Sequence, residues 1–340
     1  MFEYLIIIKP LGFMYGSAGA FLSPENLVGR SGAKFPPDAA ALSGLFFSAN
    51  FGNDNIKKEL KENLYTAGPF WAKDTDEQNF YVPIPKSRII GNDDTNEWII
   101  NEKEYWDIQN KPKDKSRPKM ESSFTWQTIK SWDYSDLSII QKYHSANSPW
   151  EYVSFLHPEM EKEERCSLRK DGLFLETAVQ IPDNISLVYL STYELPDGWY
   201  RFGGENHVVE IESKPINDET KKLLQDSIED ACAFITPAVW GSSRLSHRYP
   251  EHPNFPKPKH ILTEKPVPYR YRLSGRLGRG RYAVPPGTVY IFDQSLGKSW
   301  WEWGEWENLF PVEGFSLQRV GCGLCLPIKI DNQSLQKGAA

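Results

Sequence analysis

The spacing of apolar positions along this chain changes several times, and each change predicts a different element. Leu5 to Ile8 is a short apolar run of strand type. The stretch GFMYGSAGAFLSPENLVGRSGAK that follows is too rich in Gly and Ser to hold regular structure for long. In FPPDAAALSGLFFSA, Phe35 to Ala49, the apolar residues Leu42, Leu45, Phe46 and Ala49 fall at i, i+3, i+4 and i+7. That spacing predicts a buried helix with one stripe against a sheet, and small Ala39, Ala40 and Gly44 allow close approach. Pro36 or Pro37 suits its first turn, and Asp38 lies where the helix dipole favours an acid. The helix start faces the glycine-rich approach, an arrangement that suits an anion.

Further along, NIKKELKENL either extends this helix or forms a second one. FYVPI is a strand interrupted by prolines, which predicts a sheet edge. Residues 86–149 are polar and without sustained periodicity, and read as an insertion with hairpin character. GLFLETAVQI (Gly172 to Ile181), a Pro-Asp-Asn turn and SLVYLSTYEL (Ser186 to Leu195) predict an antiparallel hairpin. RFGGENHVVEIES adds a glycine turn and a strand. NDETKKLLQDSIEDACAFI (Asn217 to Ile235) predicts the best helix in the chain, with Leu223, Leu224, Ile228, Ala231, Cys232 and Ile235 on one face and Thr236-Pro237 ending it. The strand TVYIF, the stretch WWEWGEWENLF and a final strand within GCGLCLPIKI complete the series, and the last ten residues are polar and expected to fray. The sum is an irregular, loop-rich α+β fold.

At 340 residues the chain is long enough for two domains, with one large domain as the alternative, and a formal charge of −6 argues against a simple duplex-coating protein. The charge is unevenly spread. From Lys257 to Arg281 eight cations face the single Glu264, so one specific contact with a polyanion is expected. Four cysteines are too few for a disulfide framework, and no signal peptide precedes the first strand, which predicts a reducing cytoplasm. No apolar run approaches the ~20 residues that a membrane span requires, so a soluble protein is expected.

Several motifs invite catalytic readings that their contexts reject. Gly297-Lys298-Ser299 lacks the glycine five positions before its Gly-Lys pair, where Phe292 stands, and is read as a turn. Cys322-Gly-Leu-Cys325 has no second pair to complete a zinc site and sits in a strand-like segment, so buried structural cysteines are expected. Gly91-Asn92-Asp93-Asp94 lies between RII and WII, the placement of metal-binding carboxylates in nucleotidyl cyclases, but no other acidic signature accompanies it and it is read as a polar hairpin turn. Among His144, His157, His207, His247, His252 and His260 none has a recognisable nucleophile partner. The basic tract YRLSGRLGRGRYAVPPG offers more: Arg276, Arg279 and Arg281 can make bidentate phosphate contacts, Tyr271 and Tyr282 can stack on bases, and its glycines let backbone approach. A solvated basic loop is the plain alternative. In WWEWGEWE the acids would repel phosphate, which favours a protein interface formed by Trp300, Trp301, Trp303 and Trp306.

Taken in order, FPPDAAALSG, AGPFW with YVPIP, HPEMEKEERCSLRKDGLFLETAVQI, RFGGENHVVEIE, RYAVPPGTVYIFD and GFSLQRVGCG resemble segments of the third subunit of the Cmr complex, the type III-B CRISPR RNA-guided effector, in the RAMP superfamily. The resemblance implies two ferredoxin-like (RRM-like) domains, 1–204 and 205–330, with a flexible 331–340 tail, a β-hairpin thumb for which 86–149 is the candidate, and a C-terminal glycine-rich loop. It implies a non-catalytic subunit without cofactor or metal that grips the repeat-derived 5′ tag of the guide RNA and docks the large polymerase-like subunit beside the backbone RAMP subunits. The expected RNA-binding residues are Lys34, Phe35, Arg276, Arg279, Arg281, Gly321 and Gly323. The longer Trp-rich stretch departs from the pattern. A metal-independent RAMP endoribonuclease and the equivalent adaptor of a Csm-type complex are the alternatives.

Overall fold

The computed structural model describes residues 1–15, 35–111, 122–158, 166, 173–203, 207–242, 245–270, 272–273 and 276–331. Its first elements are β1 (Tyr4–Pro10), α1 (Ala39–Ala49), α2 (Asp54–Asn63), β2 (Thr66–Lys73), β3 (Tyr81–Pro83), β4 (Arg88–Ile90), β5 (Thr95–Ile100) and β6 (Trp106–Ile108). Next come β7 (Trp126–Thr128), a short α3 (Leu137–Ile139) running into a π-helical turn at Ile140–His144, β8 (Ser145–Ala146), β9 (Glu151–Pro158) and β10 (Leu173–Gln180). β11 (Ile185–Ser191), β12 (Gly198–Phe202), β13 (His207–Pro215), α4 (Asp218–Gln225), β14 (Ala231–Phe234), β15 (Trp240–Gly241) and β16 (Ser246–His247) follow. The last strands are β17 (His260–Leu262), β18 (Val267–Tyr269), β19 (Arg272–Leu273), β20 (Arg276–Leu277), β21 (Arg281–Ala283), β22 (Val289–Ile291) and β23 (Cys325–Pro327).

Strands dominate. An eight-stranded sheet runs β12-β13-β1-β11-β2-β3-β7-β8, and a four-stranded one runs β17-β22-β14-β23. Alternation along β1 and β11 divides the apolar residues between two faces. Ile6, Ile8, Leu187 and Tyr189 meet Leu42, Leu45 and Phe46 of α1 and Leu60 of α2 on one face. Leu5, Ile7, Val188 and Leu190 join Cys232, Phe234, Tyr290 and Trp300 on the other, so one continuous core couples the two sheets. α1 buries Ala39, Leu42, Leu45 and Phe46, whereas Ala49 is exposed at its end. Pro36 and Pro37 precede its N-cap, Asp38, instead of occupying the first turn. NIKKELKENL belongs to a second helix, whose C-terminal carbonyls at Lys61 and Glu62 accept hydrogen bonds from the Arg319 guanidinium, a cation at the negative end of the helix dipole.

Several expectations need correction. The helix expected over 217–235 stops at Gln225, because Asp226 is extended and Ala231 to Phe234 form β14, hydrogen-bonded between β22 and β23. All four of those residues are buried, and a ladder on both sides outweighs helical spacing in so short a run. The expected 172–195 hairpin is absent: β10 pairs with β9, while β11 lies between β1 and β2. β3 is interior, not at an edge. It meets β2 only through Trp71↔Tyr81, and Pro83 pairs on the other side with Trp126, so the missing N–H interrupts no ladder. Among the described residues of 86–149, β7 and β8 extend the main sheet and β4, β5 and β6 form a sheet of their own. The expected boundary at 204/205 falls within the β12–β13 hairpin, both of whose strands belong to the first sheet.

Candidate nucleic-acid interface

The basic tract folds as a β-hairpin. β18 pairs with β21 (Val267↔Ala283, Tyr269↔Arg281), and further out β19 pairs with β20 (Arg272↔Leu277, Leu273↔Arg276). Arg270 Nε donates to the Gly278 carbonyl at 2.7 Å and ties the two legs together between the ladders. Arg279 and Tyr282 are exposed, and the backbone of Arg276 lies in the outer ladder. Tyr271 and Lys34 lie outside the described residues. Arg281 departs from expectation. Its side chain is 5% exposed, its Nε lies 2.6 Å from the Glu313 carboxylate, and its Nη1 donates to the Ser242 carbonyl. A guanidinium held on two sides in this way anchors the root of the hairpin. Lys259 is likewise neutralised, 2.8 Å from Glu104 and 3.0 Å from Asp293, and these carboxylates raise its pKa.

The glycines of the C-terminal loop are also interior. Gly321 takes φ +72°, and a Cβ there would come within 2.6 Å of the Ala67 Cα on β2. Gly323 takes φ +66° against the Trp240 ring, and both glycines are buried. Gly321 packs the C-terminal loop against β2, and Gly323 packs it against Trp240 and Ala238. At the start of α1, Phe35 is half-buried and meets Trp150 edge to face at 5.3 Å. The segment between is fixed by Tyr189, whose hydroxyl donates to the Pro37 carbonyl at 2.6 Å, and by Thr66, whose hydroxyl donates to the Ala39 carbonyl.

The Trp-rich stretch divides. Trp300 and Trp303 are 1% and 0% exposed and pack in the shared core instead of presenting a surface. Trp301 and Trp306 are half-buried on a 3₁₀ turn, Trp301 against Phe2 and Tyr65 and Trp306 against His252. The acids beside them are engaged locally: Glu302 accepts from the Ser299 amide and hydroxyl, which lowers its pKa, and Glu305 pairs with Lys298 at 2.7 Å. The Gly-Lys-Ser segment is not the expected turn: Lys298 forms an isolated antiparallel bridge with Ile228, whose amide donates to the Lys298 carbonyl.

Cys232, Cys322 and Cys325 are buried, in agreement with a structural role. Burial pushes the Cys322 thiol up to about 12, and its sulfur accepts from the Val239 amide. Gly91 to Asp94 is a hairpin turn between β4 and β5, closed by a hydrogen bond from the Gly91 amide to the Asp94 carbonyl. His144 Nδ1 lies 2.9 Å from the Thr128 hydroxyl, but Thr128 is 3% exposed, so the pair offers no accessible nucleophile. Burial, and then Lys130, lower the His144 pKa. His207 stacks on Tyr15, His260 meets the edge of Trp106, and the His157 side chain lies outside the described residues. No three His, Cys, Asp or Glu side chains gather into a metal-ion group among the described residues, and no described helix is long and apolar enough to cross a membrane.

No protein-family model matches the chain, and no curated protein matches it. Among solved structures, the chain is similar to one in a cryo-EM structure of the type III-B Cmr-beta bound to cognate target RNA, with 10% identity over 84% of this chain and 86% of that one and a TM-score of 0.47. The same assembly with cognate target RNA and AMPPnP gives 11% identity over the same shares and a TM-score of 0.48. A crystal structure of the Csm3-Csm4 subcomplex of the type III-A CRISPR-Cas interference complex gives 10% identity, 96% and 99% coverage and a TM-score of 0.44. At such identities and scores the likeness assigns no role to any residue of this chain.

Proposed function

We propose that this chain is a non-catalytic, RNA-binding structural subunit of a type III CRISPR RNA-guided effector of the Cmr kind. It grips the 5′ tag of the guide RNA through the backbone and docks the large polymerase-like subunit. The observation that carries the reading is the basic hairpin. In a chain of net charge −6, the cations of one tract are raised on a two-stranded arm, with Arg279 exposed toward its outer part and Arg281 buried as the anchor. Long-range attraction for RNA is weak at this net charge, so binding depends on local contact.

Two further features support the fold that the sequence resemblance implies. In the first sheet, β13-β1-β11-β2 has the order 4-1-3-2 when these strands are numbered along the chain, and β23-β14-β22-β17 in the second sheet repeats it with all neighbours antiparallel. This is the strand order of a ferredoxin-like unit, here with helices reduced: α1 and α2 link β1 to β2, while the β12 strand stands where a second helix would cross. The eight-residue ladder of β9 with β10 is a better candidate for the thumb than 86–149, because it pairs with no other named strand. Half-buried Trp301 and Trp306 remain for the protein partner. The test is to recover the tagged chain from its native cells and sequence the RNA that accompanies it. Short RNAs sharing one repeat-derived 5′ end, together with a large subunit, are expected; unrelated RNA fragments or no RNA would refute the reading.

A further inference from the structure

The first sheet carries helices over only part of one face. A single cross-strand row passes from Ile211 through Ile8, Leu187, Trp71 and Tyr81 to Thr128, so these side chains share that face. Ile211, Ile8 and Leu187 lie in the cluster formed with α1 and α2. Beyond them, over β2, β3, β7 and β8, aromatic rings replace helices. Trp71 stacks on Tyr81 with ring centroids 3.8 Å apart and planes 2° from parallel, and both are buried. Onto this floor are laid Trp126, Trp150 and Phe35, each half-buried. Trp126 meets Trp71 at 6.3 Å, Trp150 meets Trp126 at 6.2 Å and Phe35 meets Trp150 at 5.3 Å, all edge to face. Each such contact uses the edge of one ring and leaves the faces of that ring for another partner.

Exposed cations lie on the same or adjoining elements. Lys73 stands two residues beyond Trp71 on the same face of β2, Lys130 follows Thr128 at the end of β7, and Lys142 lies on the π-helical turn beside His144. None of the three makes an ion pair among the described residues. Nearby in sequence, Glu151 is exposed at the start of β9, and Asp74 is held by Lys9 and the Ser186 hydroxyl. Half-buried rings near exposed lysines that form no ion pair among the described residues match single-stranded nucleic acid, whose bases stack and whose phosphates need cations.

We propose that Phe35, Trp126 and Trp150, together with Lys73, Lys130 and Lys142, form a stacking platform for unpaired bases of single-stranded RNA. The proposal rests on the RNA-binding reading above but concerns a surface separate in sequence from the basic hairpin. It adds base contacts, largely insensitive to salt, to the backbone contacts of the arm. The platform is tolerant of sequence because every base has a π-face.

The test uses the full chain with a short single-stranded oligouridylate and the same oligomer carrying abasic sites, followed by fluorescence anisotropy across a salt series. The abasic oligomer is expected to bind the unaltered chain at least about five-fold more weakly, the value of one base–aromatic stack. Trp150→Ala should lose a similar factor for the intact oligomer and no longer distinguish the two, while Trp150→Phe keeps most of the affinity and the salt slope is unchanged in both. Near-UV circular dichroism compares the packing of the variants. Photocrosslinking of iodouridine RNA to the unaltered chain needs no substitution and should mark peptides containing Phe35, Trp126 or Trp150. RNA binding that ignores abasic sites, with crosslinks confined to β18–β21, overturns the platform and leaves the RNA reading standing. Rings protected only by a second protein, without RNA crosslinks, also overturn it. A chain that binds no RNA within its native complex overturns both.

Discussion

Replacing Arg281 with alanine should cost stability before it costs RNA affinity. The Arg281–Glu313 pair is almost fully enclosed, with side-chain exposures of 5% and 13%, and the guanidinium also satisfies the Ser242 carbonyl. Removing one member of such a pair leaves a buried charge without its main counter-ion, an effect worth roughly 3–5 kcal/mol. Unfolding entropy near 2.1 cal/mol/K per residue over 340 residues turns that into a fall of about 4–7 °C in Tm for a cooperative transition. The double variant Arg281→Met with Glu313→Leu removes both charges and should recover most of the loss, since apolar replacements of a buried pair are often neutral or stabilising. Differential scanning calorimetry of the wild type, both single variants and the double variant closes the cycle. If Arg281→Ala melts with the wild type but weakens RNA binding as Arg279→Ala does, Arg281 is a phosphate contact and the assignment of an anchor is wrong.

Gly321→Ala should destabilise the junction of the sheets by a different route, because the added Cβ meets β2 and the residue stays at positive φ; an unchanged Tm would contradict the close packing. Native thiol titration should detect Cys166, which is exposed, and denaturant should reveal Cys232, Cys322 and Cys325 as well. Since burial raises the Cys322 thiol to about 12, its contribution to stability is complete below the unfolded thiol value near 8.5 and is lost as pH rises from there towards 12. Stability that increases over that interval would refute this sign. The chain should neither cleave repeat RNA, with or without divalent metal, nor make nucleotides, and turnover abolished by changing a single histidine would make it an enzyme.

Much of this was legible in the sequence where local and tertiary preferences agree. The strand at Leu5 to Ile8, the stripe of Leu42, Leu45 and Phe46 and the strand that follows the glycines after Phe202 follow from period and turn chemistry alone. The failures share one cause. Ala231 to Phe234 and Ile185 to Ser191 have neighbours far away in the chain, and Tyr81 to Pro83 is made interior by β7, at Trp126 to Thr128; distant pairing leaves no local trace. The same blindness affected the site. An arginine in a basic tract looks identical whether its partner is phosphate or Glu313, 32 residues away, and a tryptophan among acids looks identical in a core or on a surface. Trp126 and Trp150 carried no signal as a pair, because only the order of β7 and β8 beside β3 brings them over Trp71. Positive φ at Gly321 and Gly323 was within reach of a glycine-rich motif, but whether such a loop faces RNA or a neighbouring strand is decided by the fold.

The central claim is that the outer part of the basic hairpin holds RNA through phosphate while its root is structural. The most direct measurement is guide-RNA binding across a salt series by the reconstituted complex, with wild-type chain and with Arg276→Ala/Arg279→Ala. Each phosphate contact to a single strand contributes a slope of roughly −0.7 in log K against log salt, so the double variant should bind more weakly and lose about 1.4 of the slope. An unchanged slope and affinity, in a variant that folds and assembles normally, would take the hairpin out of the RNA path.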